Sequence, residues 1–118
     1  HHPETFKVGV AGGPVVDWSL YEIMYGERYM DMPEENPEGY EKTNMTNYVS
    51  NLDGKLVLIH GVQDQTVVMQ HSMKFVRECV KQNKQVDFFA YPIHPHNVRG
   101  KDRVHLMEKV SLYFIENL

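Results

Sequence analysis

The chain has 118 residues, of which 42% are hydrophobic and 24% are charged, as in one ordinary globular domain. Its formal charge of −4, from 12 basic and 16 acidic side chains, includes no cluster of Lys or Arg of the kind that binds nucleic acid. No apolar run is long enough to cross a membrane, and the single cysteine, Cys79, excludes an internal disulfide. We therefore expect neither a nucleic-acid partner nor a membrane segment in this chain.

The first part of the chain is predicted to contain a strand, a helix and a long polar excursion. Residues 6–15 combine apolar side chains with Gly and Pro, which is typical of a short strand that runs into a loop. Residues 17–30 are expected to form one helix with Asp17 or Ser19 as its N-cap, because aromatic residues recur there at helical spacing. Residues 31–52 are polar and proline-containing, which predicts an excursion with room for a helical turn.

The rest of the chain is predicted to alternate strands with helices. It should contain a buried strand at 54–61, a helix at 66–83, a strand at 85–93, a loop at 94–101 and a helix at 102–118 capped by Asp102. The inner stripe of the first of these helices is expected to be Met69, Met73, Val76 and Val80. Cys79 is interpreted as a buried thiol, His60 as structural and His71 as a residue of the helix surface. The alternation predicts an α/β fold, with about three parallel strands and helices packed on them.

Two residues whose side chains could take part in catalysis follow the ends of neighbouring strands in this prediction. Asp64 lies just past the strand at 54–61, and His96 lies just past the strand at 85–93. Functional groups collect at the carboxyl ends of parallel strands, so a carboxylate and an imidazole placed there can form a hydrogen bond. An aspartate so bonded fixes the tautomer of the histidine, as in the acid and base of a hydrolytic triad.

Simpler interpretations of these residues stay open at this point. An aspartate before a helix is commonly a turn residue or an N-cap, and His94 competes with His96 as the base. A zinc site formed by His94, His96 and His105 is a further alternative. The order Asp then His fits the α/β-hydrolase arrangement, in which the serine comes first in a G-x-S-x-G turn. The serines of this chain, which lie in no such turn, are Ser19, Ser50, Ser72 and Ser111.

Three stretches carry a more specific signal: "GPVVDWSLYEIMYGERYM", "LVLIHGVQDQTVVMQ" and "HNVRGKDRVHL". Together they resemble the prolyl oligopeptidase family, above all its dipeptidyl peptidase IV branch in the bacterial form. The resemblance extends over residues 5–118, and the pattern W-x-x-Y-x-x-x-Y-x-x-R-Y, which begins at Trp18, is its most specific element. It implies that residues 1–118 are the C-terminal fragment of an α/β-hydrolase peptidase domain.

Site residues can be transferred from this resemblance position by position. Asp64 matches the triad acid and His96 the triad base. Tyr21 and Tyr25 match two tyrosines that wall the pocket for the penultimate proline or alanine of a substrate. Thr66 stands where human-type members have an asparagine that helps to bind a substrate carbonyl. The other matches to substrate-binding positions are Val15, Trp18 and Val67 in the apolar pocket, and Arg28 at the substrate end of the site.

The resemblance implies that the parent is a serine exopeptidase releasing N-terminal Xaa-Pro or Xaa-Ala dipeptides, with a peptide substrate and no cofactor or metal. The nucleophile turn, the oxyanion-hole tyrosine, the amine-binding glutamates and the β-propeller would lie upstream of residue 1. The chain alone should then be inactive, and an open edge of its sheet favours a homo-oligomer. Two alternatives remain: another α/β hydrolase, such as an acylaminoacyl peptidase or esterase, or a non-catalytic interaction module.

Overall fold

A computed structural model describes residues 1–118 as a parallel sheet of three strands with helices on both faces. The strands lie in the order β1 (Val8–Gly12), β2 (Lys55–Gly61) and β3 (Asp87–Tyr91). The α-helices are α1 (Ile23–Met30), α2 (Pro37–Thr43), α3 (Gln70–Lys81) and α4 (Lys101–Asn117), and 3₁₀ helices span Trp18–Leu20 and Met45–Asn51. The predicted fold class is confirmed.

The apolar residues of the central strand serve two cores, one on each face of the sheet. Leu58 packs with Phe75 and Cys79 of α3, while Val57 and Ile59 pack against the side that α4 covers. Successive side chains of a strand point to opposite faces, so a continuously apolar strand needs a helix layer on each side. β2 is therefore the strand that fixes the positions of both helix layers.

The aromatic segment at 17–30 is not the single helix that its spacing predicted. The carboxylate of Asp17 accepts hydrogen bonds from the backbone N–H and the hydroxyl of Ser19, and so caps the N-terminus of the short 3₁₀ helix at Trp18–Leu20. Tyr21 is then extended, with φ of −85° and ψ of 166°, and α1 begins only at Ile23. The prediction of Asp17 as an N-cap is correct, but the cap belongs to the 3₁₀ helix.

The predicted inner stripe of α3 is largely wrong. Met73 and Val80 are 40% and 74% exposed, and the buried positions are His71, Ser72, Phe75 and Cys79. His71, which was expected on the helix surface, is completely buried. The prediction failed because it counted apolar residues alone, whereas two polar side chains are buried here with hydrogen-bond partners.

Two further expectations change in the loops and at the last helix. The polar excursion is more helical than predicted, because Asn36 caps α2 by accepting a hydrogen bond from the N–H of Gly39 and Pro37 occupies the first turn. Helix α4 begins at Lys101 with Gly100 in the N-cap position, so Asp102 lies in the first turn and is not the cap. None of the helices is long and apolar enough to cross a membrane.

Candidate active site

Asp64 and His96 meet at the carboxyl edge of the sheet. Asp64 follows the end of β2, His96 follows the end of β3, and these two strands are adjacent. The Nδ1 atom of His96 lies 2.7 Å from Oδ2 of Asp64. The Asp64 side chain is fully buried, whereas that of His96 is 42% exposed. The geometry expected from the strand order is therefore present in the structure.

Each oxygen of the Asp64 carboxylate has a separate role. Oδ1 accepts hydrogen bonds from the backbone N–H groups of Thr66 and Val67, at 2.9 and 2.8 Å, and Oδ2 faces His96. Asp64 is therefore both a turn residue, through Oδ1, and the partner of His96, through Oδ2. Burial by itself raises the pKa of Asp64, but the hydrogen bonds from His96, Val67 and Thr66 outweigh it and hold the pKa below its usual value.

The hydrogen bond to Asp64 fixes the tautomer of His96. An ionised carboxylate only accepts hydrogen bonds, so the Nδ1 of His96 carries the proton that points at Asp64. In the neutral ring Nε2 is then unprotonated, and it has no hydrogen-bond partner within residues 1–118. The ring can accept a proton at Nε2 while Asp64 stabilises the resulting positive charge.

The backbone around the pair packs too closely for side chains at two positions. A Cβ atom at Gly61 would lie 2.0 Å from the carbonyl oxygen of Pro95. The loop of His96 can therefore approach the end of β2 this closely only because residue 61 is a glycine. Gly13, just past β1, has a φ of +53°, and a Cβ there would lie 2.8 Å from Cε1 of His96. All three strand ends therefore contribute to the pair. Sequence reasoning missed Gly13, although its place after the first strand was a usable signal.

A second histidine lies beneath Asp64. His60 is buried on β2, with Nε2 at 2.6 Å from the carbonyl oxygen of Val67 and Nδ1 at 2.7 Å from the hydroxyl of Ser72. Since a carbonyl only accepts, Nε2 of His60 is the donor and Nδ1 accepts from Ser72. His60 is thus a structural residue that holds the turn carrying Asp64, and its Nε2 lies 3.6 Å from Oδ2 of Asp64.

The aromatic residues form a continuous cluster despite the break in the helix. The ring of Trp18 is stacked on that of Tyr25 at 5.8 Å with an angle of 8°, and Tyr21 meets both rings edge-on. Tyr29 continues the row at 4.9 Å from Tyr25. Such contacts keep the rings in fixed positions without covering them: Tyr25 is 46% exposed. The cluster begins six residues beyond β1, on the segment that leaves the same sheet edge as Gly13.

Helix α3 anchors the segment that leads into this cluster. The buried Nδ1 of His71 accepts hydrogen bonds from the N–H groups of Val16 and Asp17, at 3.1 and 3.4 Å. Burial lowers the pKa of His71, which suits an acceptor nitrogen because it keeps the ring neutral. Lys74 forms an ion pair with the buried Asp17. His71 and Lys74 carried no signal in the sequence, because their partners are distant in the chain.

The remaining predicted substrate-binding residues lie around these groups in different environments. Val67 is buried beside Asp64, Val15 is half-buried, and Thr66 is exposed next to Val67. Arg28 is exposed, with its guanidinium 5.6 Å from the centre of the Tyr29 ring. The structure gives no direct contact between Arg28 and the Asp64–His96 pair. Arg28 is thus placed with the aromatic cluster.

The three histidines considered as a zinc site do not converge. His96 bonds to Asp64, His94 places Nε2 at 2.7 Å from Oδ2 of Asp102, and His105 bonds to the hydroxyl of Tyr91. No group of three His, Cys, Asp or Glu side chains is arranged to hold a metal ion. Of the two histidines considered as the partner of Asp64, it is His96 that forms a hydrogen bond with it, whereas His94 bonds to Asp102.

Comparison with known proteins places this geometry in context. The model of the prolyl oligopeptidase family matches residues 1–118. The fold superimposes on a Bacteroides ovatus protein assigned as a dipeptidyl aminopeptidase IV, with a TM-score of 0.98 and 57% identity over 99% of this chain. Dipeptidyl peptidase 4 of Porphyromonas gingivalis gives a TM-score of 0.92 and 35% identity over 97% of this chain.

Curated relatives include fungal proteins named dipeptidyl-aminopeptidase B. The Aspergillus oryzae protein is 44% identical over 98 residues and the Neurospora crassa protein 37% identical over 97 residues, each match covering 80% of this chain. The chain spans 11% and 10% of the length of these two relatives and 16% of each of the two solved structures.

Proposed function

This chain belongs to the prolyl oligopeptidase family, and from that premise we propose that its parent protein is a serine exopeptidase. The parent releases N-terminal Xaa-Pro or Xaa-Ala dipeptides from peptides. The observation that carries the proposal is the 2.7 Å contact between Asp64 and His96 at the carboxyl edge of two adjacent parallel strands. In this proposal residues 1–118 are the C-terminal portion of the peptidase domain and supply its acid and base.

The nucleophile in this scheme is a serine outside residues 1–118. The serines of this chain are unsuited to the role: Ser19 is bonded to Asp17 and Ser72 to His60, and none is hydrogen-bonded to His96. The serine hydroxyl transfers its proton to Nε2 of His96 as its oxygen attacks the substrate carbonyl. His96 then gives that proton to the leaving amine, and Asp64 keeps the ring in place throughout.

The aromatic cluster supplies the specificity. Tyr21 and Tyr25, with Trp18 behind them, present a flat apolar wall with hydroxyl groups at its rim, which suits the ring of a proline or the methyl group of an alanine. Val15 and Val67 complete the apolar pocket, Arg28 orders the substrate end, and Thr66 replaces an amide donor with a hydroxyl group. A plain esterase has no use for such a wall.

The test uses the full-length parent with three reporters: an unblocked Gly-Pro amide, an N-acetylated alanine amide and a simple ester. We expect cleavage of the Gly-Pro amide alone, and its loss after treatment with a serine-directed phosphonate. His96→Ala and Asp64→Asn should each lower kcat by about 10⁴-fold. Preferred cleavage of the acetylated or ester reporter would make the protein a different α/β hydrolase, and no cleavage of any reporter would favour an interaction module.

A further inference from the structure

A second histidine–carboxylate pair lies two residues from His96. Nε2 of His94 stands 2.7 Å from Oδ2 of Asp102, in the first turn of α4. The His94 side chain is 13% exposed and that of Asp102 is 50% exposed. A carboxylate only accepts hydrogen bonds, so Nε2 of His94 is the donor. Asp102 is the one acidic residue in the first turn of α4, where the helix dipole favours a negative charge.

The main chain of His94 is bound on the opposite side. Its carbonyl oxygen accepts a hydrogen bond of 3.1 Å from the N–H of Gln63, the residue directly before Asp64. A Cβ at Gly61 would lie 2.4 Å from this carbonyl oxygen, so the contact with the end of β2 is a close one. His94 therefore joins two elements: its backbone holds the turn of Asp64 and its ring holds α4.

A single residue separates this anchored position from His96. That residue is Pro95, whose ring fixes its φ, so the chain has little freedom between the two histidines. His96 itself is exposed, and Asp64 is its one hydrogen-bond partner in the chain. A half-exposed ring on a loop needs support from its neighbours to remain within reach of a buried carboxylate.

We propose that His94 and Asp102 are positioning residues, which hold the loop of His96 so that its ring stays aligned with Asp64. The pair clamps the loop between the Asp64 turn and the start of α4. Neither residue touches the reacting atoms. The effect on activity rests on the function proposed above, whereas the effect on the geometry of His96 does not.

The test introduces His94→Ala and Asp102→Ala into the full-length parent, each beside its conservative counterpart. His94→Gln keeps an N–H near the position of Nε2, and Asp102→Asn keeps an acceptor oxygen for the ring. The control is Asp87→Ala, which removes a bond of 2.8 Å between Asp87 at the start of β3 and Tyr113 of α4. That bond joins β3 to α4, at the end of β3 opposite the His96 loop.

Kinetic measurements separate positioning from general stability. Misplacing a catalytic group by a small distance costs up to about 100-fold, so each alanine variant should lower kcat roughly 10- to 100-fold. KM should change by less than about threefold, because the binding residues are untouched. The Gln and Asn variants should recover most of the activity, and Asp87→Ala should retain it. Equal losses in the alanine variants and the Asp87→Ala control would overturn the proposal.

A spectroscopic readout remains available if the parent lacks peptidase activity. With histidine labelled at Cε1, the His96 signal is assigned by its loss in His96→Gln, and Asp64→Asn supplies the signal of a released ring. His94→Ala and Asp102→Ala should move the His96 signal toward that reference, while Asp87→Ala should leave it in place. An unmoved His96 signal in both alanine variants would refute the clamp. Absence of cleavage by the wild type would refute only the proposed function.

Discussion

Gly13 lies directly against the ring of His96: a Cβ atom on Gly13 would stand 2.8 Å from Cε1 and 2.9 Å from Nδ1. The residue also has a φ of +53°, which other L-residues rarely adopt. The same Cβ atom would stand 3.5 Å from Oδ2 of Asp64, so the end of β1 packs against the pair where its two members meet. This contact gives a direct way to displace the ring without altering either member of the pair.

Gly13→Ala in the parent protein is expected to lower kcat at least tenfold, because the added methyl group displaces His96 from Asp64. Gly12→Ala is the matched control, since a Cβ at Gly12 meets no atom within 4 Å. Steady-state kinetics of both variants on a Gly-Pro reporter check the prediction. Wild-type activity in Gly13→Ala would mean that the close approach at β1 has no bearing on His96.

The aromatic cluster should decide which substrates are accepted. Tyr21→Ala and Tyr25→Ala each remove a ring that contacts Trp18, and we expect kcat/KM for Xaa-Pro substrates to fall about tenfold or more. Tyr29→Ala, whose ring is 65% exposed and lies at the outer end of the row, should stay within about twofold of wild type. The measurement compares kcat/KM for substrates that carry proline, alanine or a bulkier residue at the second position from the N-terminus. An unchanged proline preference in the Tyr21/Tyr25 double variant would remove these residues from the pocket.

The placement of Asp64 and His96 was predictable, whereas their support was not. Strand order alone brings the two residues to one edge, because parallel strands end on the same side of a sheet. The contacts that hold the site, such as Val16 to His71, join positions 55 residues apart. A hydrogen bond of that kind leaves no periodic trace in the sequence.

Two predictions of helical structure from residue spacing were wrong in part. The aromatic residues of 18–29 recur as in a helix, yet the extended backbone at Tyr21 separates the 3₁₀ helix that Asp17 caps from α1. In α3 the buried face contains His71 and Ser72, so the apolar count selected a stripe on the wrong side. The error in α3 arose because polar side chains that form hydrogen bonds, here through Nδ1 of His71 and the hydroxyl of Ser72, can occupy buried positions of a helix.

Acid should destabilise the chain through its buried carboxylates. Burial raises the pKa of Asp64 and of Asp17, but hydrogen bonds from His96 and Lys74 respectively, with those from nearby donors, outweigh it and lower both pKa values. An aspartate with a lowered folded pKa contributes stability that is fully present above its unfolded value of about 4. That contribution is lost as the pH falls through the lowered folded value.

Urea midpoints of the 118-residue chain, followed by the fluorescence of its single tryptophan, Trp18, should fall below about pH 4 through these aspartates. The buried His71, whose folded pKa is lowered, should add a separate and earlier fall that begins as the pH drops through its unfolded value of about 6.5. Asp64→Asn should flatten part of the fall below about pH 4, since no carboxylate titrates at this position. Glu108→Gln, an exposed position on α4, should leave the profile unchanged. Identical acid profiles for Asp64→Asn and wild type would contradict the assignment.

The sheet of this chain has two outer edges, at β1 and at β3, and we expect it to grow at β1. β1 pairs with β2 alone, through the carbonyl of Lys7 and the N–H of Gly13 among others. Because the bonding direction alternates along a strand, the N–H and C=O groups of Val8, Val10 and Gly12 point away from β2. Phe6 beside this edge is 69% exposed. An unpaired edge with adjacent apolar surface favours strand pairing with a second chain.

The isolated 118-residue chain is therefore expected to self-associate through β1, with a mass by light scattering that rises with concentration. Gly12→Pro should shift this association to higher concentration, because it removes an outward N–H where a Cβ meets no atom within 4 Å. Val80→Lys, which removes a 74% exposed apolar side chain from α3, should leave the association unchanged. If wild type stays monomeric at high concentration, the β1 edge does not pair. If Val80→Lys alone produces monomers, the copies meet through α3 instead.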